Sequence, residues 1–173
     1  MNEYELIAGC VKKDIIAQRQ LYDRYAGKMM GLCMRYVGSR DTAHDILHDG
    51  FIRLFEKIST YKGVGSFEGW MRKLFVNTAL EYLRKKRELL KEYDEDNTTH
   101  TLDYTVMEEM AADELMEKVM SLPEGFRSVF NLYAIEGYSH QDIAELLNIS
   151  ESTSRSQYAR ARTCLQEMIK GRR

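Results

Sequence analysis

Apolar residues recur along this chain at three- and four-residue steps, the period of an amphipathic helix. Over residues 12–37 the positions Ile15, Leu21, Tyr22, Tyr25, Met29, Leu32, Cys33, Tyr36 and Val37 form one stripe. They predict one long helix, or two in succession, ended by Gly38 and Ser39. Asp41 has the chemistry of an N-cap for the next helix, running to about residue 58. Its inner face would hold Ala43, Ile46, Leu47, Phe51, Leu54, Phe55 and Ile58. Gly63 and Gly65 mark a loop over 59–66. Ser66 can cap a helix over 67–87 with Trp70, Leu74, Phe75, Ala79, Tyr82 and Leu83 turned inward. Periodicity fades between about 91 and 106, where polar and acidic residues read as a linker.

Helical spacing resumes over 106–120. Ser121 and Glu124 then stand three apart, the spacing of a capping box, with Pro123 in the first turn of a helix to about residue 135. Gly137 stops that helix. Ser139 caps a short one over 140–147, with Asp142 three residues on. Asn148, Ile149 and Ser150 make a tight turn, and a longer basic helix follows over 151–169. A short capped helix, a three-residue turn and a longer helix describe a helix-turn-helix. In the longer helix Ser154, Tyr158, Ala161 and Leu165 share the inward face. Thr153, Arg155, Ser156, Gln157, Ala159, Arg160 and Arg162 lie on the others. Arginine grips guanine edges or phosphates, glutamine bridges adenine, and small residues allow close approach to the groove. Glu151 is an acid in a basic helix, favoured there by the positive helix end. An ordinary helical hairpin with a solvated basic face would use the same residues. No alternating strand pattern and no internal repeat interrupts the helices, so the fold class is all-α, in two small helical modules.

Composition agrees. The 173 residues are 44% hydrophobic and 30% charged, with a single proline, as expected of a globular chain of long helices. Cys10, Cys33 and Cys164 are odd in number and far apart, which argues against a disulfide framework or a zinc knuckle and fits a reducing compartment. The apolar run over 6–11 is too short for a membrane span or a signal-peptide core. The string Leu6-Ile7-Ala8-Gly9-Cys10 has the look of a lipoprotein cleavage box but lacks the basic start and long apolar core.

Charge changes the picture more. The net charge is -2, but eleven of the 27 acids and only one of the 25 bases fall within residues 88–117. Residues 68–87 carry Arg72, Lys73, Arg84, Lys85, Lys86 and Arg87 against two acids. Residues 151–173 carry Arg155, Arg160, Arg162, Lys170, Arg172 and Arg173 against two more. The pattern is two basic modules joined by an acidic connector. In the first, Phe67, Trp70 and Phe75 could stack unpaired bases while the basic residues hold phosphates. Taken singly, each of these aromatics serves equally well as core. Two readings from other classes use other features. His44-Asp45 and His48-Asp49 put two imidazoles four apart on one helix, a spacing that can share a metal in an enzyme. No Gly-rich phosphate loop, nucleophile elbow or Cys-His pair accompanies them. A free-standing helix-turn-helix regulator would account for the last fifty or so residues but not the first ninety or so.

Four segments together resemble the extracytoplasmic-function (ECF) group of the sigma-70 family of bacterial RNA polymerase sigma factors, which has only the second and fourth sigma domains. LYDRYAGKMMGLCMRYV resembles the opening helix of the second domain, and DTAHDILHDGFIRLFEKI the helix that docks on the polymerase clamp. SFEGWMRKLFVNTALEYLRKKR is similar to the helix that melts the promoter and reads its minus-ten element, with six residues between Trp70 and Asn77. LPEGFRSVFNLYAIEGYSHQDIAELLNISESTSRSQYARARTCL resembles the fourth domain.

The resemblance implies a second sigma domain over 1–88, an acidic linker over 89–112 and a fourth sigma domain over 113–173. It implies a polymerase-binding face of Asp45, His48, Asp49 and Arg53, with His48 and Asp49 where the family usually has Gln and Glu. It implies minus-ten contacts from Tyr61, Lys62, Phe67, Trp70, Arg72, Lys73, Asn77 and Arg84, the loop over 61–67 and Asn77 capturing a flipped base. Thr153, Arg155, Ser156, Gln157, Ala159, Arg160 and Arg162 would read the minus-thirty-five element. Ser154 stands where the family generally has a β-branched apolar residue. The linker would thread a positively lined polymerase channel as a nucleic-acid mimic. The implied partners are core RNA polymerase, promoter DNA and an anti-sigma factor. No cofactor, metal, catalytic residue, small-molecule substrate or membrane insertion is implied, and the location would be the cytoplasm, at the nucleoid.

Overall fold

The computed structural model describes residues 1–93 and 111–171, and its regular structure there is helical throughout. The chain divides into two compact units, Met1–Glu95 and Asp96–Arg173. The first holds α1 (Glu3–Val11), α2 (Ile15–Val37), α3 (Arg40–Lys57), a 3-10 turn (Ile58–Thr60) and α4 (Phe67–Tyr93). The second holds α5 (Ala111–Met120), α6 (Glu124–Phe130), a π-helical turn (Asn131–Ile135), α7 (His140–Leu147) and α8 (Glu151–Lys170).

Apolar periodicity did not predict α1. Its signal lies at its start, where Asn2 and Glu5 form a reciprocal capping box with bonds of 2.8 and 2.9 Å. Lys13, at a φ of 61°, turns the chain. Asp14 then caps α2 by accepting the Ile16 N–H at 2.8 Å. Ile15, placed above on the inner stripe, is 78% exposed, because it is the first residue of α2 and the packed face begins at Ala17. Gly38, at a φ of 69°, closes α2. Ser39 rather than Asp41 caps α3, its hydroxyl accepting the Thr42 N–H at 3.5 Å. Asp41 sits one position inside, in the first turn, where its charge still opposes the helix dipole.

The core of the first unit is built from three helix faces. Leu21, Met29, Leu32 and Tyr36 of α2 meet Ile46, Leu47, Phe51 and Leu54 of α3 and Phe67, Met71, Phe75 and Leu83 of α4, all buried. Fully burying each such side chain contributes about 1.5–3 kcal/mol. Gly50 allows α3 and α4 to touch: a Cβ there would stand 2.3 Å from the Phe75 ring. Phe75 also meets Phe51 edge-on at 5.2 Å. Gly9 does the same for α1 and α2, where a Cβ would stand 2.5 Å from Ala17. Polar ties run around the rim. Tyr25 donates to Glu3 at 2.6 Å, Lys28 pairs with Glu68 at 2.8 Å, and Arg53 pairs with Glu81 at 2.5 Å. Burial pushes the Cys10 thiol up to about 11 and the Cys33 thiol to about 12, so both behave as inert core groups.

In the second unit Val119, Leu122, Ala161 and Leu165 form one core cluster, with Phe126, Phe130, Cys164 and Met168 packed against it, and Val129, Leu132 and Ile143 are also fully buried. The expected capping box at Ser121 does not form. Helix α6 begins at Glu124 behind Pro123, with no side-chain cap. The Ser121 hydroxyl instead donates to Lys118 O at 2.6 Å, closing α5. Arg127 is buried and donates to Met120 O at 2.9 Å, satisfying another α5 end carbonyl. The helix expected to run to residue 135 passes into the π-turn, and Gly137, at a φ of 78°, ends it. Ser139 caps α7 and a tight turn follows it, as the sequence predicted; the structure adds that Asn148 is left-handed in that turn and that Ser150 caps α8. Helix α4 runs past residue 87 to Tyr93; the rest of the expected linker, and the expected helix start near 106, lie outside the described residues.

Gly50→Ala should lower unfolding stability by about 1–3 kcal/mol through overpacking against Phe75. Gly27→Ala, in open space within α2, should be neutral or stabilise by about 0.4–1 kcal/mol. Urea denaturation of the two variants checks both.

Candidate nucleic-acid interface

On α3, Asp45, His48 and Asp49 are exposed on one stripe. At the C-terminal end of that stripe the structure adds a residue the sequence reading passed over: Ile52, an apolar side chain 56% exposed on an otherwise amphipathic helix. Its signal was an isoleucine out of phase with the inner stripe. Arg53 stands at the edge of this group, near Asp49. It is half-buried and tied to Glu81 of α4, which also takes Lys85 at 3.0 Å. The two cations hold the Glu81 carboxyl down to about 2. Arg53 therefore joins α3 to α4. His44 and His48 are exposed, and among the described residues no group of three or more His, Cys, Asp and Glu converges.

On α4, Trp70, Lys73, Asn77 and Arg84 fall on one stripe at about 100° per residue, and Lys73, Asn77 and Arg84 are exposed. Arg72 falls among the buried positions and is itself half-buried. The loop before α4 is drawn tight by Tyr61, whose hydroxyl donates to Gly65 O at 2.8 Å. Gly63 and Gly65 take φ values of 72° and 76°, which leaves Val64 between them 85% exposed and Lys62 exposed beside it. Phe67 departs from its expected role. It is 1% exposed and cannot stack on a base. It forms the floor instead, with Tyr61 at 5.2 Å and Trp70 stacked on it at 5.7 Å. Tyr61 and Trp70, both half-buried, are the aromatics left at the surface of this cluster.

On α8, Arg155, Ser156, Ala159, Arg160 and Arg162 are exposed, and Arg162 lies over the Tyr158 ring at 5.9 Å. Two predicted readers are half-buried. The Thr153 hydroxyl bonds Ser150 at 2.7 Å within the cap. The Gln157 amide lies over Gly125, where an added Cβ would be 3.4 Å away. Ser154 is fully buried, and its hydroxyl lies 2.9 Å from His140 Nδ1. That bond accounts for a hydroxyl at an inward position. His140 stacks on Tyr133 at 4.3 Å, and Tyr133 meets Tyr158 at 4.5 Å. A polar clip and an aromatic ladder thus set α7 against α8.

An all-helical chain with one basic, aromatic-edged helix and one helix-turn-helix has the make-up of a DNA-binding protein. Comparison with known proteins specifies the class. Residues 21–88 match sigma-70 region 2, and residues 112–165 match sigma-70 region 4. The chain is 31% identical to the ECF RNA polymerase sigma-E factor of Haemophilus influenzae, over 98% of this chain and 96% of that one. It is 27% identical to the sigma-E factor of Escherichia coli, over 98% and 95%, and 26% identical to SigW of Bacillus subtilis, over 92% of each. Two solved structures share the fold. CnrH in complex with the cytosolic domain of CnrY has a TM-score of 0.52 at 20% identity, covering 96% of each chain. RpoE from Bartonella quintana in complex with the anti-sigma factor NepR has a TM-score of 0.58 at 18% identity, covering 90% of this chain and 98% of that one. The chain belongs to the ECF group of the sigma-70 family, the RNA polymerase sigma factors that direct transcription initiation. Among the described residues no helix is long and apolar enough to cross a membrane.

The Arg53–Glu81 tie gives a pH prediction. Because the folded Glu81 carboxyl sits near 2 against an ordinary 4.5, its stabilisation is present above 4.5 and fades as pH falls toward 2. Both side chains are about a third exposed, so solvent screening holds the contribution to about 0.5–1 kcal/mol. Wild type and Glu81→Gln should differ by that amount at pH 7 and converge in acid, as read by denaturation across pH.

Proposed function

We propose that this sigma factor binds core RNA polymerase through α3, and promoter DNA through α4 with its preceding loop and through α8. The carrying observation is that each helix keeps an outward polar stripe while the opposite side is buried. On α3 the docking stripe is Asp45, His48 and Asp49 followed by the apolar Ile52, with Arg53 at its edge steadied by Glu81. An exposed apolar side chain beside charged ones can be buried against a partner while the charges stay at the rim.

For the minus-ten element, Lys73, Asn77 and Arg84 face the strand, with Arg72 at the flank. Tyr61, Lys62 and Trp70, backed by Phe67, form one wall of a pocket for an extruded base, and Val64 supplies an apolar tip. Extruding a base costs a few kcal/mol, so a preformed wall matters. For the minus-thirty-five element, Arg155, Ser156, Ala159 and Arg160 face the major groove. Arg162 takes phosphate at the flank, while Thr153 and Gln157 hold the helix from its sides. The domain organisation on this reading is a second sigma domain over 1–88, an acidic linker over 89–112 and a fourth sigma domain over 113–173. The chain works as a non-catalytic initiation factor at the nucleoid in the cytoplasm, and an anti-sigma factor is its proposed regulator.

The test is co-elution of the purified chain with core RNA polymerase, followed by transcription from a random promoter pool. A stable complex with enriched start sites is expected. Specific DNA binding by the chain alone, with no complex, would replace this reading by a free-standing regulator. Asp45→Arg should abolish co-elution through a reversed charge, and Ile52→Ala should weaken it by about 1–2 kcal/mol. Asn77→Ala should keep co-elution but impair open-complex formation, read by permanganate footprinting.

A further inference from the structure

We infer that Glu151 is a specificity-determining residue of α8, acting by holding Arg155 for base readout and by repelling phosphate from the same place. The inference rests on the promoter-reading role proposed for α8.

The Thr153 hydroxyl is bonded within the cap, Gln157 is half-buried beside Gly125, and the Ser156 hydroxyl donates to Thr153 O at 3.1 Å. In the first turns of α8 this leaves Arg155 as the strong exposed donor and Glu151 as the charged acceptor. The two are joined: Arg155 Nη2 donates to Glu151 Oε1, with both side chains well exposed. An exposed pair four residues apart contributes little to stability, and the helix dipole that favours an acid in the first turn does not call for its pairing with Arg155. Its position says more. Glu151 and Arg155 line a concavity with Tyr133, Tyr138, His140 and Gln141, where the starts of α7 and α8 come together. In a helix-turn-helix the start of the second helix is the part that reaches base edges.

The pairing has two consequences. A guanidinium held by one nitrogen to one carboxylate oxygen keeps the rest of its planar fork free, and the fork matches guanine O6 and N7. The carboxylate itself accepts from cytosine N4 but repels phosphate oxygens. Arg155 can therefore engage a base edge beside Glu151, whereas a phosphate at that place meets a negative charge. Sequence-independent affinity falls and discrimination rises, because specificity is a difference between two affinities.

The test uses polymerase holoenzyme carrying wild-type chain, Glu151→Gln, Arg155→Ala or both, transcribing a pool randomised across the minus-thirty-five element. Binding to a nonspecific duplex is followed by salt titration alongside. Arg155→Ala should flatten the preference at a particular base pair. Glu151→Gln should weaken preference at that same pair by about 5- to 20-fold and tighten nonspecific binding. In the Arg155→Ala background, Glu151→Gln should change that pair no further. A wild-type preference profile in Glu151→Gln, or a flattening that is the same with and without Arg155, overturns the inference. If Arg155→Ala alters no position of the element, the α8 reading itself fails along with it.

Discussion

The Phe75 ring lies against bare backbone at Gly50, and the outward faces of α3 and α4 both follow from that contact. A glycine there lets the helices approach until an aromatic ring fills the space a side chain would take. The approach fixes the rotation of each helix. With Ile46, Leu47, Phe51 and Leu54 turned in, Asp45, His48, Asp49 and Ile52 must face out. With Met71, Phe75, Ala79 and Leu83 turned in, Lys73, Asn77 and Arg84 must do the same. The two stripes proposed for polymerase and promoter are therefore set by one packing event. Close-packed interiors do not deform continuously, so a shift at position 50 would be felt on both. The Arg53–Glu81 pair acts further along the same two helices, at their rim.

The second unit reaches a comparable end by different means. A unit of this size buries a smaller share of its surface than a large domain does, so contacts outside the apolar core carry more weight. Local chemistry does the positioning. Ser139 and Ser150 cap the two helices of the motif, Asn148 supplies the left-handed turn, and the His140–Ser154 bond ties them across the interior. The Tyr133, His140 and Tyr158 rings stack over the same joint. Each contact constrains the angle at which α8 leaves α7, which is the quantity that decides how its exposed arginines would enter a groove.

These two modes explain what could be read from the sequence. Helices α2, α3, α4 and α8 carry apolar stripes long enough to show their period, and serine, aspartate and glycine punctuate them; α7, of eight residues, was marked by its Ser139 cap and the turn that follows it. Helix α1 is short and its face too brief for periodicity, so its capping box was the better signal. The errors at caps have one cause. Ser39 and Asp41 offer equivalent capping chemistry two positions apart, and at Ser121 the hydroxyl closes α5 while Pro123 starts α6 without a side-chain cap, so packing chooses the outcome. The candidate site was legible as charge on a helix face. What could not be read was the local competition for side chains: Phe67 drawn into the core, Arg53 into an ion pair, Thr153 into a cap and Gln157 onto α6. Each of those partners lies off the helix stripe or across the fold, beyond what spacing alone reports.

The charge distribution bears on how such a chain would work. A net charge of -2 gives no long-range pull toward a polyanion, and the screening length at physiological salt is only about 8 Å. The basic stripes of α4 and α8 can act only once DNA is within a few ångströms. On the proposed function, delivery to DNA falls to the polymerase, and the stripes are free to discriminate rather than to attract. An acid among the arginines of α8 is then consistent with the whole. It weakens the part of binding that any duplex would satisfy, and leaves the part that depends on a base edge meeting Arg155.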